Sequence, residues 1–153
     1  ETVLIVDDEP GITAALMVRL QASGYEVFHA INGLAGVEAA AIHSPDVVIM
    51  DIRMPDVSGF EAFERIRRLP HMEATPIIFL SAHAQESAKQ RARELGASGF
   101  LSKPYDAAEI LCAIASCLSN ATPQRAGAFH DLPHALRLVV DDDSTPSIAG
   151  IGT

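Results

Sequence analysis

Cysteine, basic residues and long apolar runs are all scarce in this chain of 153 residues. The two cysteines, Cys112 and Cys117, are five positions apart, which places them on different faces of a helix, so we expect reduced thiols and no disulfide. Eleven Lys and Arg residues against twenty Asp and Glu give a net charge of −9. This balance argues against nucleic acid as a direct partner of the segment, because phosphate binding requires cations. No apolar run approaches the roughly 20 residues that span a bilayer, and no signal segment opens the chain. We therefore expect a cytoplasmic protein without membrane contact.

The composition is that of a globular protein, with 48% hydrophobic and 20% charged residues. The length suffices for one domain with a sizeable core and a short extension. We assign residues 1–119 to the domain and 120–153 to a linker or C-terminal extension. Residues 138–142 repeat the pattern of residues 4–8, which fits the start of a truncated second domain. An accidental apolar run and one extra strand packing on the domain are the alternatives.

Short apolar runs alternate with helical patterns along the first 119 residues. The runs predict strands at residues 3–6, 26–29, 46–50, 76–80 and 99–101. Helices are predicted from Pro10 to just before Gly24, from about residue 34 to 44, and over 58–69, 85–95 and 105–118. In the first helix, Ile12, Leu16 and Leu20 are the expected core positions.

Five strands alternating with five helices predict an α/β domain with a doubly wound, flavodoxin-like parallel sheet. A five-stranded sheet of this type fits the strand order 2-1-3-4-5. In that order strands 1 and 3 are neighbours, and ligands bind beyond the carboxyl ends of the strands. Residues that directly follow these strands are therefore expected to meet at one edge of the sheet.

Polar residues with useful chemistry stand at these strand ends. Asp7 and Asp8 follow the first strand, and Asp51 ends the central one. Ser81 follows the fourth strand and Lys103 follows the fifth. Each of these residues alone would usually be a solvated surface group or, for Ser81, a helix cap, but together they suit a divalent cation and a phosphoryl group.

The carboxylates predict a Mg²⁺ site. Mg²⁺ prefers oxygen ligands and keeps several waters, so one or two carboxylates and a phosphoryl oxygen suffice. Asp8 and Asp51 are the expected direct ligands, and Asp7 binds directly or through water. The backbone carbonyl of Arg53 is a reasonable further ligand, and the Arg53 side chain is expected in solvent.

Asp51 is the expected nucleophile toward a phosphoryl donor. Transfers of this kind depend mainly on positioning and charge neutralisation. Lys103 would supply a compact positive charge for one phosphoryl oxygen and Ser81 a hydroxyl for another. The product would be an aspartyl phosphate.

The chain resembles the receiver domain of two-component response regulators, of the kind found in chemotaxis regulators. The resemblance covers residues 1 to about 119, and its strength lies in four motifs that occur in the right order. They are Val6-Asp7-Asp8-Glu9, Met50-Asp51-Ile52-Arg53-Met54-Pro55 with Gly59, Leu80-Ser81-Ala82, and Gly96-Ala97-Ser98-Gly99-Phe100-Leu101-Ser102-Lys103-Pro104.

The resemblance implies a function for several of these residues. Asp51 would accept phosphate from a histidine kinase or phosphotransfer protein, and the protein would signal to a downstream protein or output domain that the sequence does not identify. Ser81 would be the switch hydroxyl, Phe100 the switch aromatic, and the Lys103–Pro104 peptide bond would be cis. No turnover is implied beyond self-phosphorylation and self-dephosphorylation.

Two positions depart from the family pattern. Ser58 stands where an aspartate often precedes the motif glycine, which puts little in doubt. Residues 97–99 lack the acidic pair of regulators that dimerise through their last strand and helices, which weakens any expectation of that dimer.

Three alternative functions are disfavoured by the residues present. An interaction module of the same fold that works without phosphate is disfavoured by the intact set of acids. A dehalogenase-type phosphatase usually carries a second aspartate two residues after its nucleophile, where this chain has Arg53. A flavin-binding electron carrier needs a phosphate loop rich in Ser and Thr after the first strand, where this chain has acids.

Overall fold

The computed structural model describes residues 1–83 and 85–120 and, further along, the backbone of residues 130–131. Five strands build the centre of a parallel sheet in the order β2-β1-β3-β4-β5. They are β1 (Thr2–Val6), β2 (Glu26–Ala30), β3 (Val47–Asp51), β4 (Ile77–Ser81) and β5 (Gly99–Ser102). The predicted α/β class, flavodoxin-like topology and strand order are confirmed, and no strand end differs from its prediction by more than one residue.

Helices alternate with these strands, as predicted, and cover both faces of the sheet. They are α1 (Pro10–Ala22), α2 (Gly33–His43), α3 (Gly59–Arg67), α4 (Glu86–Leu95) and α5 (Ala107–Ser119). None of the helices in the described part of the chain is long and apolar enough to cross a membrane.

A short sixth strand, β6 (His130–Asp131), was not predicted. It runs parallel to β5 at the edge of the sheet, with Gly99 opposite His130. An edge strand presents unpaired backbone N–H and C=O groups, and a short extended segment satisfies some of them. The repeat-like residues 138–142 lie outside the described residues.

The sheet separates two hydrophobic clusters. One lies beneath α2, α3 and α4, and the other beneath α1 and α5. Every residue of β3 and β4 is buried, as expected for strands covered on both faces. On the helices, the most buried side chains include Leu16, Leu20, Phe63, Ile66, Ile110 and Ile114.

Side-chain caps and a positive φ angle define several helix ends. The Ser58 hydroxyl accepts a hydrogen bond from the Glu61 N–H at 3.2 Å, which caps α3. Asp106 and Glu109 form a capping box at the start of α5. Gly96 ends α4 with φ of +86°, a conformation that disfavours residues with a Cβ atom.

One detail of a helix face was predicted wrongly. Ile12 is 43% exposed, and Thr13 is buried in its place, because positions four apart drift by about 40° around a helix at each step. The Thr13 hydroxyl donates a hydrogen bond to the Glu9 carbonyl at 2.8 Å. Helix α2 begins at Gly33, within one residue of the predicted start.

The two cysteines are both free, as expected. Cys117 faces the cluster beneath α5, and burial raises the pKa of its thiol to about 11. The predicted absence of a disulfide is confirmed.

Candidate functional site

Three aspartates meet at the carboxyl edge of the sheet. Strands β1 and β3 are neighbours with Val6 opposite Met50, so the residues that end them lie side by side. Carboxylate oxygens of Asp7, Asp8 and Asp51 lie within 4.8 Å of one another. Asp7 is 1% and Asp51 5% exposed, whereas Asp8 is exposed.

Backbone N–H groups orient the two buried aspartates. Asp7 Oδ1 accepts a hydrogen bond from the Glu9 N–H at 2.9 Å, and Asp51 Oδ1 accepts one from the Arg53 N–H at 3.2 Å. Both are bonds from the side chain to a backbone group two residues further along, a common local use of Asp in turns. In each case the second oxygen of the same carboxylate bonds to Lys103.

Lys103 is the cation at the centre of this cluster. Its Nζ lies 3.0 Å from Asp51 Oδ2, 3.1 Å from Asp7 Oδ2 and 3.2 Å from Glu9 Oε1, and its side chain is 10% exposed. The Lys103 N–H donates to the Ser81 carbonyl at 2.7 Å, and the Lys103–Pro104 peptide bond is cis. The chain after β5 therefore places the Lys103 ammonium beside the ends of β1 and β3.

Burial and charge have opposite effects on the pKa values of Asp51 and Lys103. Burial raises the pKa of the Asp51 carboxyl, and the charge of Asp7 adds to this, while Lys103 acts in the opposite direction. Burial alone would lower the pKa of the Lys103 ammonium, but its hydrogen bonds with Asp51 and Asp7 outweigh that effect and raise it. Lys103 is therefore firmly protonated at neutral pH, and it stabilises an otherwise unfavourable buried carboxylate.

The donor set fits a hard divalent cation. Three carboxylates that can bring one oxygen each within 4.8 Å match the preference of Mg²⁺ for oxygen ligands. The carboxylates of Asp7, Glu9 and Asp51 contact one ammonium, and Asp8 lies beside two of them, so the cluster keeps an excess of negative charge that a cation would offset.

The β3–α3 loop, residues 52–58, carries the predicted carbonyl ligand. The Arg53 side chain is exposed, as expected. The loop is held at its two ends, where the Ile52 N–H donates to the Leu80 carbonyl at 3.1 Å and the Gly59 N–H donates to the Ile52 carbonyl at 2.8 Å. A Cβ atom at Gly59 would overlap the Asp51 carbonyl, so glycine is what allows α3 to begin this close to the site.

Ser81 ends β4, and its hydroxyl is turned toward its own loop. Its Oγ donates to the His83 carbonyl at 2.9 Å and accepts from the His83 N–H at 3.2 Å. The alternative use of Ser81 as a helix cap is wrong, because α4 begins only at Glu86, after Gln85.

Phe100 lies in the core rather than at the site. It is 1% exposed and pairs in register with Phe79. Side chains two apart on a strand share a face, so Phe79 and Ser81 project from the same side of β4. Phe79 and Phe100 belong to one buried cluster, so the residue two positions before Ser81 is the cross-strand neighbour of Phe100.

Glu9 and Asp56 make contacts at or near the site that were not predicted. Glu9 bonds to Lys103, and Asp56, in the β3–α3 loop, accepts hydrogen bonds from the first N–H groups of α2. Glu9 could have been suspected because it directly follows two acids. Asp56 carries no such signal, since its partners are 22 and 23 residues away.

A family comparison accounts for this arrangement. The model of the response regulator receiver domain matches residues 3–115, a stretch that includes the three aspartates, Ser81 and Lys103. This chain belongs to the response regulator receiver domain family. It is thus a receiver of the two-component type, a class of signalling switch and not of classical enzymes.

Several relatives show the extent of the similarity. The transcriptional regulatory protein KdpE of Mycobacterium tuberculosis is 38% identical over 149 residues, which cover 97% of this chain and 61% of KdpE. Protein PilH of Pseudomonas aeruginosa is 37% identical over 118 residues, which cover 77% of this chain and 98% of PilH. The structure of the chemotaxis response regulator CheY4 of Vibrio cholerae superposes with a TM-score of 0.72 at 33% identity, covering 76% of this chain and 98% of that one. This receiver therefore spans less than two thirds of the KdpE relative and nearly the whole of the other two.

Proposed function

We propose that this receiver is a phosphorylation-operated switch in which Asp51 accepts a phosphoryl group from a histidine kinase or phosphotransfer protein. The single observation that carries the proposal is the contact of Lys103 Nζ with both Asp51 and Asp7, within a cluster of three aspartates. This arrangement places a nucleophilic carboxylate, a metal-binding set and a cation for the phosphoryl group at one edge of the sheet.

The proposed reaction is a direct transfer to the carboxylate. A carboxylate oxygen of Asp51 attacks the phosphorus of a phosphohistidine, the phosphorus–nitrogen bond breaks, and the electron pair leaves with the imidazole nitrogen. Asp7, Asp8 and Asp51, with the Arg53 carbonyl, would hold Mg²⁺, which when bound neutralises charge on the phosphoryl oxygens. Lys103 would bind a second phosphoryl oxygen.

Asp51 is well prepared for this role by its surroundings. Burial disfavours the charged form of its carboxyl group and raises its pKa, whereas the Lys103 contact favours the ionised, nucleophilic form. The hydrogen bond from the Arg53 N–H occupies Oδ1, whereas Oδ2 faces Lys103. The proposed nucleophile is therefore oriented before any donor arrives.

The donor would approach over the start of α1. A groove beside the site is lined by Glu9, Ile12, Ala82, Lys103, Pro104 and Tyr105. Ile12 is 43% exposed there, and an apolar residue next to a charged pocket suits contact with a protein donor. The exposure of Ile12, unexpected for a core position, supports this direction of approach.

The phosphoryl group would be read out through Ser81 and Phe100. Ser81 Oγ now bonds to His83, and a phosphoryl group on Asp51 would offer it stronger acceptor oxygens. Movement of Ser81 would leave space that Phe100 fills, and the surface of residues 85–118 would change. Phosphate must favour one of the two packings over the other for this to occur.

The proposal also covers the setting of the domain. Residues 1–119 form the receiver and residues 120–153 a linker or extension, compatible with the start of a second unit since the similarity to KdpE runs over 149 residues. The downstream partner is then an output domain or a separate protein. The free cysteines suit the reducing cytoplasm, and direct nucleic-acid or membrane binding by this segment is not part of the proposal.

Phosphoryl incorporation tests the proposal directly. Incubation with acetyl phosphate and Mg²⁺ should add one phosphoryl group, seen by intact mass, and Asp51→Asn should abolish it. Asp46→Asn is the matched control, because Asp46 directly precedes the same strand at its opposite end. Incorporation by Asp51→Asn at the wild-type level would refute the assignment. If the wild-type protein takes up no phosphoryl group, the alternative of a phosphorylation-independent interaction module is favoured.

A further inference from the structure

The first turn of α2 is joined to the β3–α3 loop by the side chain of Asp56. Asp56 Oδ1 accepts a hydrogen bond from the Gly33 N–H at 3.0 Å, and Oδ2 accepts one from the Leu34 N–H at 2.8 Å. Asn32 caps the same helix from within, since its side chain accepts from the Ala35 N–H at 2.8 Å. The helix therefore has a conventional cap of its own, and Asp56 adds a second attachment that comes from the loop after Asp51.

Close packing also joins α2 to both acidic segments of the site. A Cβ atom on Gly33 would lie 2.5 Å from Val57 Cγ2, and one on Gly36 would lie 2.8 Å from Val6 Cγ1. Val6 immediately precedes Asp7, and Val57 lies in the β3–α3 loop. The glycine face of α2 thus lies directly against the chain on either side of the acid cluster.

The β3–α3 loop is held in several ways, among them the hydrogen bond from the Arg53 N–H to Asp51 Oδ1 and the packing of Met54 and Val57 against the core. Its two ends are held by backbone hydrogen bonds at Ile52 and Gly59. Between these two points, the Asp56 carboxylate ties the loop to a regular element of the fold. Anions are also favoured at a helix N-terminus, so the contact is electrostatically favourable as well as bidentate.

We propose that Asp56 is a positioning residue for the phosphoacceptor site and that the first turn of α2 is the support on which it holds the β3–α3 loop. The inference rests on the proposed function, because the loop carries the Arg53 carbonyl that would complete the Mg²⁺ site. Asp56 does not touch the metal-binding oxygens. It acts by setting the position of the backbone that presents one of them.

A purely structural role would have a different signature. If Asp56 only capped α2, its removal would lower stability and leave Mg²⁺ binding unchanged. If it positions the loop, its removal should weaken Mg²⁺ binding by about tenfold, the lower end of the range for outer partners of metal ligands.

The test compares Asp56→Ala with Asn32→Ala in the full chain. Both variants remove a hydrogen-bond acceptor from the same helix end, but only Asp56 belongs to the β3–α3 loop and links it to the helix. Titration with Mg²⁺, followed through backbone amide shifts, should show the tenfold loss of affinity for Asp56→Ala alone. In the same variant, the amide shift of Arg53 should differ from that of the wild type even before Mg²⁺ is added. Melting temperatures report the stability loss that both variants share.

Two glycine substitutions provide an independent test of the same role. Gly33→Ala should displace Val57 and weaken Mg²⁺ binding in the same direction. Gly11→Ala, also in the first turn of a helix, has no heavy atom within 4 Å of the added Cβ and should leave the affinity unchanged. Asp56→Asn, which keeps one acceptor oxygen, takes the place of Asp56→Ala if the latter does not fold, and should show a smaller loss.

The possible outcomes distinguish the positioning role of Asp56 from the proposed function of the receiver. Wild-type Mg²⁺ affinity in Asp56→Ala or its substitute, while the wild-type protein binds Mg²⁺ and accepts phosphate, overturns the positioning role and leaves the proposed function intact. An equal loss of affinity in Asn32→Ala also overturns it, because the effect would then follow from helix stability. Absence of Mg²⁺ binding and phosphorylation in the wild-type protein overturns both proposals.

Discussion

Lys103 Nζ donates a hydrogen bond to Asp51 Oδ2 at 3.0 Å, and it joins residues 52 positions apart in the chain. The two side chains are 10% and 7% exposed. The pair connects the end of the central strand to the segment after the last long strand, and it places a permanent positive charge against the residue that we propose as phosphoacceptor.

Removing the charge of Lys103 should destabilise the metal-free protein. Lys103→Met leaves Asp51 and Asp7 buried without a counterion, and we expect the free energy of unfolding to fall by about 3 kcal/mol at neutral pH, as when one partner of a buried ion pair is removed. The pKa of Asp51 is already raised by burial, so protonation of Asp51 should reduce the loss of stability in Lys103→Met as the pH falls. Urea unfolding at neutral and acidic pH measures this.

The control for this variant is Lys103→Arg, which keeps the charge and should recover most of the lost stability. A Lys103→Met protein whose deficit is as large in acid as at neutral pH would show that lost packing, and not the unpaired carboxylates, causes the loss.

Mg²⁺ should stabilise the fold through Asp8. A ligand at 100 times its dissociation constant adds about 2.7 kcal/mol of stability, so the melting temperature should rise with Mg²⁺ and return after chelation. Asp8→Ala should lose most of this rise, because Asp8 is the exposed member of the cluster and is best placed to exchange water for metal. Asp46→Ala, an acid at the opposite end of β3, should retain it. An unchanged rise in Asp8→Ala would exclude Asp8 as a ligand.

The contribution of Asp56 to stability should disappear in acid. Slight burial acts the other way, but the N–H groups of Leu34, Val57 and Gly33 lower the pKa of the Asp56 carboxyl. Its stabilisation is therefore complete above the ordinary Asp pKa of about 4 and is lost as the pH falls through the lower value of the folded protein.

The measurement is the difference in urea midpoint between wild type and Asp56→Asn from neutral pH downward. Glu38→Gln removes an exposed carboxylate from α2, the helix that Asp56 contacts, and controls for the general loss of negative charge. A difference that does not shrink in acid would mean that the ionised form of Asp56 is not what stabilises α2.

The centre of the sheet was predictable because β3 and β4 are buried on both faces. Such continuous apolar runs identify parallel strands without any knowledge of their neighbours. Once the order 2-1-3-4-5 is accepted, the convergence of Asp7, Asp8 and Asp51 follows from the topology alone. The contact of Lys103 with these acids follows from the same reasoning, since β5 ends at the same edge.

Features that depend on tertiary partners were missed. Helix α2 buries Gly33, Gly36 and Ala40, and small residues give a weak hydrophobic pattern, so its buried face could not be assigned. The role of Asp56 depends on that same close approach. β6 is two residues long, and its pairing reflects the open edge of β5 rather than any pattern of its own.

The last prediction concerns how Ser81 communicates with Phe100. Ser81→Ala should still accept a phosphoryl group, because Asp51 and Lys103 are untouched. It should lose most of the structural response, because the hydroxyl that leaves His83 for the phosphoryl group is absent. Phe79 and Phe100 lie in register within one buried cluster, so a shift of the end of β4 reaches Phe100 through direct packing.

Amide shifts of residues 85–118, recorded with and without beryllofluoride and Mg²⁺, measure that response. Ser102→Ala is the matched control, because Ser102 is the exposed residue that pairs in register with Ser81 on β5. Its backbone position is equivalent, but we propose no role for its hydroxyl, so it should show the full wild-type pattern. If Ser81→Ala also shows that full pattern, the signal reaches β5 and α4 by a route that does not involve the Ser81 hydroxyl. The coupling of Ser81 to Phe100 would then be wrong, even though Asp51 would remain the phosphoacceptor.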